Sequence, residues 1–358
     1  MLPYFVTILL VAILSSTAQK YKLAFCSLEH YDRKLEKSYR FFVFLTAAVL
    51  IFVAGVRYRV GTDYMSYTIG YETRAEHLWQ DIIEFSEPGL GFIAYISHYI
   101  YDDYATMIFI ASIITVGAHV VTINKYSEDF FFSMMLYIFI GAWHGSFNGI
   151  RQYLAAAVLF LGHRYLLQRS FWKYLLVVLA AACFHLTAFV MLPVYFLVRE
   201  KIDIKTISLV LLTGMVLYFS GDVLFEIMGF IKGRDQSEYE YMTTDVNIFR
   251  ILVAFAPLLL MVFARKRFLT DTENAFYVIM LVINAVFLFA TSGSAYLARI
   301  GIYTDVYATL AFPKLLKVFQ KRDRNVLKFI ILALYGLYWF YEVWSRDSLN
   351  HFRWIFSR

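Results

Sequence analysis

"FFVFLTAAVLIFVAGVRYRVGTDYMSYTIGYE", Phe41 to Glu72, decides how this chain is read. Its first part, Phe41 to Ala54, is an uninterrupted apolar run of the kind that crosses a bilayer as a helix. Its second part, from Val56, packs Arg57, Arg59, Asp63 and the tyrosines 58, 64, 67 and 71 into one short loop. A dense polar cluster placed directly after hydrocarbon is a cluster at a membrane edge, and a reason for it has to be found.

The rest of the chain repeats the first part of that pattern. Its 358 residues are 60% apolar, 19% aromatic and 17% charged, with a mean hydropathy of +0.60, which lies outside the globular range and inside the polytopic-membrane range. The apolar runs are about 15 to 25 residues long, which at 1.5 Å per residue suits roughly 30 Å of hydrocarbon. Breaks between them are brief, with no internal repeat, low-complexity tract or Pro-rich linker. The expectation is one membrane domain over residues 1–358, all-α and polytopic, with about ten crossings plus re-entrant or half-length helices, and an extracytoplasmic loop at about 57–87. Leu2 to Ala18 lacks a basic leader and is followed by basic residues, so it reads as a spanning helix rather than a signal peptide. No room remains for the soluble nucleotide-binding domain of a cytosolic sugar transferase. Cys26 and Cys183 have no metal or redox spacing.

The net charge of +6 does not signal nucleic acid here, because in a membrane protein the distribution of Lys and Arg carries the information. Basic residues gather in Lys20–Arg40, Arg164–Lys173, Arg199–Lys205, Arg265–Arg267 and Lys314–Lys328, which the positive-inside rule makes cytoplasmic. The connections 57–87 and 234–247 are mixed or acidic and are expected outside. Two places call for irregular structure. Tyr174–Val198 is one apolar run between two basic loops, which a re-entrant hairpin with Phe184 and His185 near its apex would satisfy; a single tilted helix is the alternative. Gly89–Tyr101 is too short to span and ends in "YDDY", so it reads as a half-length helix before the full crossing Ala105–Asn124. With this topology Arg57, Arg59, Asp63, Glu87, Asn148, Arg151, Gln152, His185 and Arg299 fall together on the outer side.

Those residues sit in recognisable company. "RYRVGTDYMSY" resembles the R-x-x-G-T-D-Y-x-x-Y signature of the EpsG family, Wzy-like polymerases of bacterial exopolysaccharide and O-antigen. "SEPGLGFIAYI" (Ser86–Ile96) is similar to that family's E-P-G-F stretch, "FNGIRQYLAAAVLF" (Phe147–Phe160) to its F-N-x-x-R-Q-x-x-A helix, and "FHLTAFVMLPVYF" (Phe184–Phe196) to its F-H-x-S/T segment. "ARIGIYTDVYATLAFP" (Ala298–Pro313) resembles the late arginine-tyrosine helix, through Arg299 and Tyr303. The resemblance covers about Phe52 to Pro313 in the right order, with no family signal read before Arg40 or after Lys314.

The resemblance implies a processive glycosyltransferase of the bacterial cytoplasmic membrane, active on its extracytoplasmic face, on a scaffold like the all-helical GT-C enzymes. It would transfer a growing glycan from undecaprenyl pyrophosphate to the next lipid-linked repeat unit. Its implied partners are that lipid-linked oligosaccharide, membrane lipids, and a chain-length regulator and flippase of the same pathway, with no nucleic acid and no cofactor.

Such a reaction has to bind a pyrophosphate, steer a sugar hydroxyl and accept its proton. Arginine suits the first task because its planar fork meets phosphate oxygens bidentately and stays charged. Arg57, Arg59, Arg151 and Arg299 are the candidates. Arg151 and Arg299 also open descending helices, whose positive ends attract anions; headgroup snorkelling is the alternative reading of both. Asp63, Glu87 and His185 compete as the base, with Glu87 favoured as an organiser or simply a cap on the helix that Pro88 starts. Tyr64, Tyr67, Asn148, Gln152 and Tyr303 are the candidate saccharide contacts. Asn148, Arg151 and Gln152 share a helix face if that helix begins early enough. The other tyrosines of the loop, Trp79 and Trp143 fit an interfacial aromatic belt equally well. No metal site is expected, because the adjacent Asp102 and Asp103 read as a polar turn and pyrophosphate departure needs fixed cations more than a metal.

Two rivals remain. A membrane O-acyltransferase would need donor access from the inner face, where only basic loops lie. A flippase or other transporter of lipid-linked sugars should carry ionisable residues through its depth, and only His119, Asn124 and Asn284 lie deeper.

Overall fold

The computed structural model describes residues 1–358 apart from 28–31, 85, 199–201, 203, 220–245, 270–271 and 296. The acidic connection expected at 234–247 therefore lies largely outside the described residues. Among the described residues the protein is 82% helical and forms no strand. Six helices among the described residues are long and apolar enough to cross a membrane, and five shorter apolar helices accompany them. The all-α polytopic expectation holds. The long helices are Leu2–Cys26, Arg33–Gly55, Tyr104–Tyr126, Ile248–Phe268, Thr272–Ala290 and Lys321–Trp344.

The chain divides into two compact units. The first comprises residues 1–189 and 325–358, and the second residues 190–324.

In the first unit, helix starts are set by acidic side chains. Asp32, Asp103 and Asp129 each accept a backbone N–H of the following first turn, satisfying donors that have no partner within the helix. The half-length helix is present as Pro88–Ile100, 13 residues, followed by the full-length Tyr104–Tyr126. The "YDDY" turn between them is held by protein partners. Tyr71 Oη donates to Asp102 (3.1 Å), His98 pairs with Asp102 (2.5 Å), and Asp103 pairs with Arg358. The signature loop is itself helical, as Tyr64–Ile69, Tyr71–Glu76 and Leu78–Ile83. The apolar run from Tyr174 is interrupted where the sequence suggested: a helix Phe171–Ala182 ends, Cys183 to His185 form a turn, and a 3-10 turn Leu186–Val190 follows. The buried core of this region is aromatic and aliphatic: Tyr64, Tyr67, Tyr71, Leu90, Ile93, Met107, Ile108, Ile150 and Leu154. Large apolar side chains such as Leu9, Ile13, Phe44, Phe329 and Leu337 point outward, as a surface facing lipid requires.

The second unit carries the helices Met191–Leu197, Ile204–Phe219, Ile248–Phe268, Thr272–Ala290 and Ala308–Lys317. Arg299 lies in a 3-10 turn, Leu297–Gly301, rather than at the mouth of a regular helix, and a single helical turn, Ile302–Asp305, separates it from Ala308–Lys317. Tyr303 is buried in this unit, and Asn284 accepts a bond from Thr304 Oγ1 at 2.9 Å.

Candidate active site

Three of the sequence motifs meet at Glu87. The residue before a proline avoids the helical region, and Glu87 adopts a left-handed conformation instead, φ +60° and ψ +54°, so that Pro88 can open its helix. That backbone is costly for a residue with a Cβ, of order 1–3 kcal/mol, and such strain persists only where the surroundings fix it. Here they do. Its carboxylate does not cap the helix it precedes. It turns away to accept Arg151 Nη1 on Oε2 (2.5 Å), His185 Nδ1 on Oε1 (2.7 Å) and the Leu186 backbone N–H on Oε1 (2.9 Å). The E-P-G, R-Q and F-H motifs are thus joined by one carboxyl group.

The close approach of the F-H turn depends on Gly89. Its N–H donates to Cys183 O at 2.8 Å, and a Cβ there would stand 2.5 Å from the Phe184 ring. Without that glycine the turn carrying His185 would be pushed off Glu87.

Electrostatics follow from the contacts. Burial alone would raise the Glu87 carboxyl, but the His185 hydrogen bond, the charges of Arg151 and His185 and the Leu186 N–H outweigh it and bring it down to about 2. Glu87 is therefore an anion at neutral pH. Its side chain is 13% exposed, that of His185 19% and that of Arg151 40%, so the guanidinium is the most open member of the set. With Nδ1 of His185 engaged by a carboxylate, the proton belongs on Nδ1 and the lone pair on Nε2. A carboxylate that fixes an imidazole tautomer in this way prepares the ring to accept a proton.

Arg151 is the second residue of the helix Ile150–Leu161, at its positive end. The helix begins too late to include Asn148, so the shared helical face foreseen for Asn148, Arg151 and Gln152 does not form. Gln152 is buried, and Asn148 sits in the preceding turn. Asn148 has another task. Its Oδ1 accepts the Thr62 N–H at 2.7 Å, tying the F-N turn to the G-T-D loop. Gly61 makes this possible with φ +107°, and a Cβ there would lie 2.5 Å from Phe147 O. Asp63 follows, half-buried, accepting from Thr62 Oγ1 at 3.2 Å.

The remaining candidates are spread differently. Arg57 is buried at 2% exposure, donates to Ala54 O, and lies with its Cζ 4.8 Å from the Phe147 ring centre and 6.0 Å from that of Tyr64. It is a packed cation inside an aromatic cage, closed to any ligand as large as a pyrophosphate. Arg59 is exposed over Tyr58. Tyr64, at 1% exposure, meets Tyr58 and Tyr104 edge-on and offers no open ring face. Tyr67 is also buried, but beside Arg151. Trp143 is not part of an interfacial belt: it is fully buried and donates Nε1 to Leu50 O at 3.2 Å, whereas Trp79 is exposed. Arg299 and Tyr303 belong to the second unit.

Two features escaped the sequence reading. Arg74 stacks its guanidinium over Tyr67, with Cζ 5.5 Å from the ring centre. Its signal was available, since it is the only Lys or Arg between Arg59 and Lys125, in a loop otherwise acidic. The other is the C-terminal segment, which straps the signature loop in place. Trp354 forms an antiparallel bridge with Arg57, Tyr58 N–H donates to Arg353 O (2.8 Å), Ile355 N–H to Val56 O (2.8 Å) and Gly61 N–H to Ser348 O (2.8 Å). Backbone pairing of this kind reads no side chain and leaves no motif. Among the described residues no group of three or more His, Cys, Asp or Glu is placed to hold a metal ion.

Comparison with curated proteins and with solved structures gives no match. Comparison with protein-family models gives one that spans residues 40–355 and so takes in the C-terminal strap beyond the quoted motifs. With nearly the whole chain matched, and with the G-T-D-Y, E-P-G, R-Q and F-H motifs in one unit, this protein belongs to the EpsG family.

Proposed function

We propose that this chain is a polysaccharide polymerase that joins undecaprenyl-pyrophosphate-linked oligosaccharide repeat units at the outer face of the bacterial cytoplasmic membrane, without a divalent metal. Family membership supports a polymerase role in polysaccharide biosynthesis. The observation that carries the finer reading is the Arg151–Glu87–His185 arrangement, which pairs an open guanidinium with an oriented imidazole through one ionised carboxylate.

In this reading the acceptor hydroxyl oxygen forms a bond to the anomeric carbon of the donor glycan. The carbon–oxygen bond to the diphosphate breaks, and its electron pair stays on the departing diphosphate oxygen. The hydroxyl proton passes to Nε2 of His185, and the imidazolium that results faces the Glu87 anion. Arg151 gives one N–H to Glu87 and another to the Tyr67 hydroxyl and keeps others for diphosphate oxygens, where charge grows as the bond breaks. Glu87 is a positioning residue and His185 the base. Asp63, held beside Thr62, serves sugar hydroxyls at the rim, with Arg59 the exposed cation of the same loop. Arg57, Tyr64 and Asn148 hold the loop's shape rather than the substrate. Gln152 is a packing residue here. For Arg299 and Tyr303 the reading keeps the roles that the resemblance implies, a second pyrophosphate cation and a saccharide contact. A chain-length regulator and a flippase of the same pathway are the proposed partners.

The transporter alternative has less support. His119 bonds Thr115 O through Nδ1 (2.7 Å) and stacks on Tyr137, Asn124 accepts from Tyr39 and Asn284 accepts from Thr304, so these three deep polar groups are engaged in packing rather than lining a path. Deleting the gene and displaying surface glycan on a gel separates the two. A polymerase defect leaves single repeat units outside the cell, restored to long chains by the wild-type gene but not by His185→Ala. Loss of all surface glycan, single units included, would contradict the proposal and favour transport.

A further inference from the structure

We propose that Arg74 is a further cationic arm of the diphosphate site, meeting the substrate across Tyr67 from Arg151. This rests on the reading of the site as a polymerase's, and goes beyond it by naming a residue that none of the motifs contains.

The placement is geometric. Tyr67 lies against both guanidinium groups: Arg74 covers its ring, and Arg151 hydrogen-bonds its hydroxyl. The helix Tyr71–Glu76 is seated tightly on Pro88–Ile100, because Gly91 lets Arg74 O come within 2.9 Å of where a Cβ would stand. Arg74 is thereby fixed to the same E-P-G-L-G segment that carries Glu87. Its Nε is buried and has no hydrogen-bond partner among the described residues. An unpaired buried guanidinium nitrogen costs free energy, and an oxyanion with several acceptor oxygens would satisfy it.

The charges agree. Burial foremost, and then the Arg151 charge, pull Arg74 below its ordinary range, while Tyr67, Asp81 and Glu87 pull the other way. Two guanidinium groups that repel each other, with Asp81 accepting from Ser86 and Glu87 committed to Arg151 and His185, form a cationic pair suited to an anion. A diphosphate carries two negative charges and enough oxygens to serve both arms; a single sugar carboxylate carries one. Leaving-group charge develops on such oxygens, where a second fixed cation acts most strongly.

The test uses full-length protein in proteoliposomes, with lipid-linked repeat units as substrate and inorganic pyrophosphate as the competing probe. Wild type, Arg74→Ala, Arg74→Gln and Arg74→Lys are compared, each checked for folding by monodispersity and thermal transition. Losing a charge-assisted contact of this kind should raise the pyrophosphate concentration for half-inhibition about ten- to a hundred-fold in Arg74→Ala, with Arg74→Lys in between. If the alanine variant does not fold, the glutamine variant, which keeps length and removes charge, decides. A folded, charge-free variant with unchanged half-inhibition overturns the proposal. So does a loss of activity that appears only when the vesicles contain phosphatidylglycerol, which would make Arg74 a headgroup anchor. If wild type itself makes no polymer, the polymerase reading fails first and takes this inference with it; an active wild type with an unaffected variant sinks the inference alone.

Discussion

Glu87→Gln is the substitution that isolates the proposed chemistry from the fold. Glutamine keeps the side chain's length and is no worse suited than glutamate to φ +60°, so the backbone strain is unchanged. What changes is that two anionic oxygens taking three bonds become one neutral oxygen and an amide NH2, and that donor must face either Arg151 or the His185 side. A charge-assisted hydrogen bond is worth ~1.5–3 kcal/mol against ~0.5–1.5 for a neutral one, so weakening the Arg151 and His185 bonds removes about 2–3 kcal/mol. At 13% exposure little of this is screened by water. If both bonds act in the transition state, kcat/KM falls roughly 30- to 150-fold at 1.4 kcal/mol per decade. The assay is the initial rate of polymer formation from lipid-linked repeat units in proteoliposomes, normalised to folded protein. Repeating it in a His185→Ala background shows whether the carboxylate acts through the ring, in which case the further loss is much smaller than in wild type. A folded Glu87→Gln enzyme working within about two-fold of wild type would refute the reasoning.

Further expectations concern the base, the glycines and pH. His185→Ala should cost about 10²- to 10⁴-fold in kcat, the range for a lost general base, while Asp63→Asn costs at most about ten-fold; the reverse order, read from initial rates, would make Asp63 the base. Gly61→Ala forces φ +107° on a residue with a Cβ and drives that carbon into Phe147 O, so the thermal transition should fall by an amount matching at least about 1–3 kcal/mol. Gly89→Ala collides with a side chain instead, so Phe184→Leu in the same protein should recover part of its loss in stability and activity. For pH, the Glu87 carboxyl is depressed from 4.5 to about 2 in the folded protein, so its stabilisation is complete above pH 4.5 and disappears as pH falls towards 2. That difference amounts to at most about 3.4 kcal/mol. Melting curves of wild type and Glu87→Gln should therefore converge across that window, and a constant gap would show that Glu87 is not held ionised.

The membrane class, the half-length helix before "YDDY" and the break at Phe184–His185 were legible because each rests on local physics: run length, a chain-breaking polar cluster, a motif that interrupts apolar sequence. The partnership of Glu87 with Arg151 and His185 was legible only as proximity. Pro88 marked a helix start, and a glutamate before it reads as a cap; nothing in the sequence announces the left-handed turn that points the carboxyl elsewhere. Burial was the least legible property. Arg57 and Arg59 stand two positions apart in one motif, yet one is enclosed by Phe147 and Tyr64 and the other is exposed, because the enclosing ring comes from a segment 90 residues away. Arg74 was passed over because it matches no motif, though a lone cation in an acidic loop was a usable signal.

The central claim is that Arg151, Glu87 and His185 form one unit that transfers a glycan from its lipid diphosphate. The most direct measurement is polymer length after purified protein alone, in metal-free proteoliposomes, is given defined lipid-linked repeat units. The account predicts long chains and released lipid diphosphate from wild type, and unreacted single units from Arg151→Ala and His185→Ala of equal thermal stability. Long chains from either folded variant, or none from the wild-type protein, would contradict it.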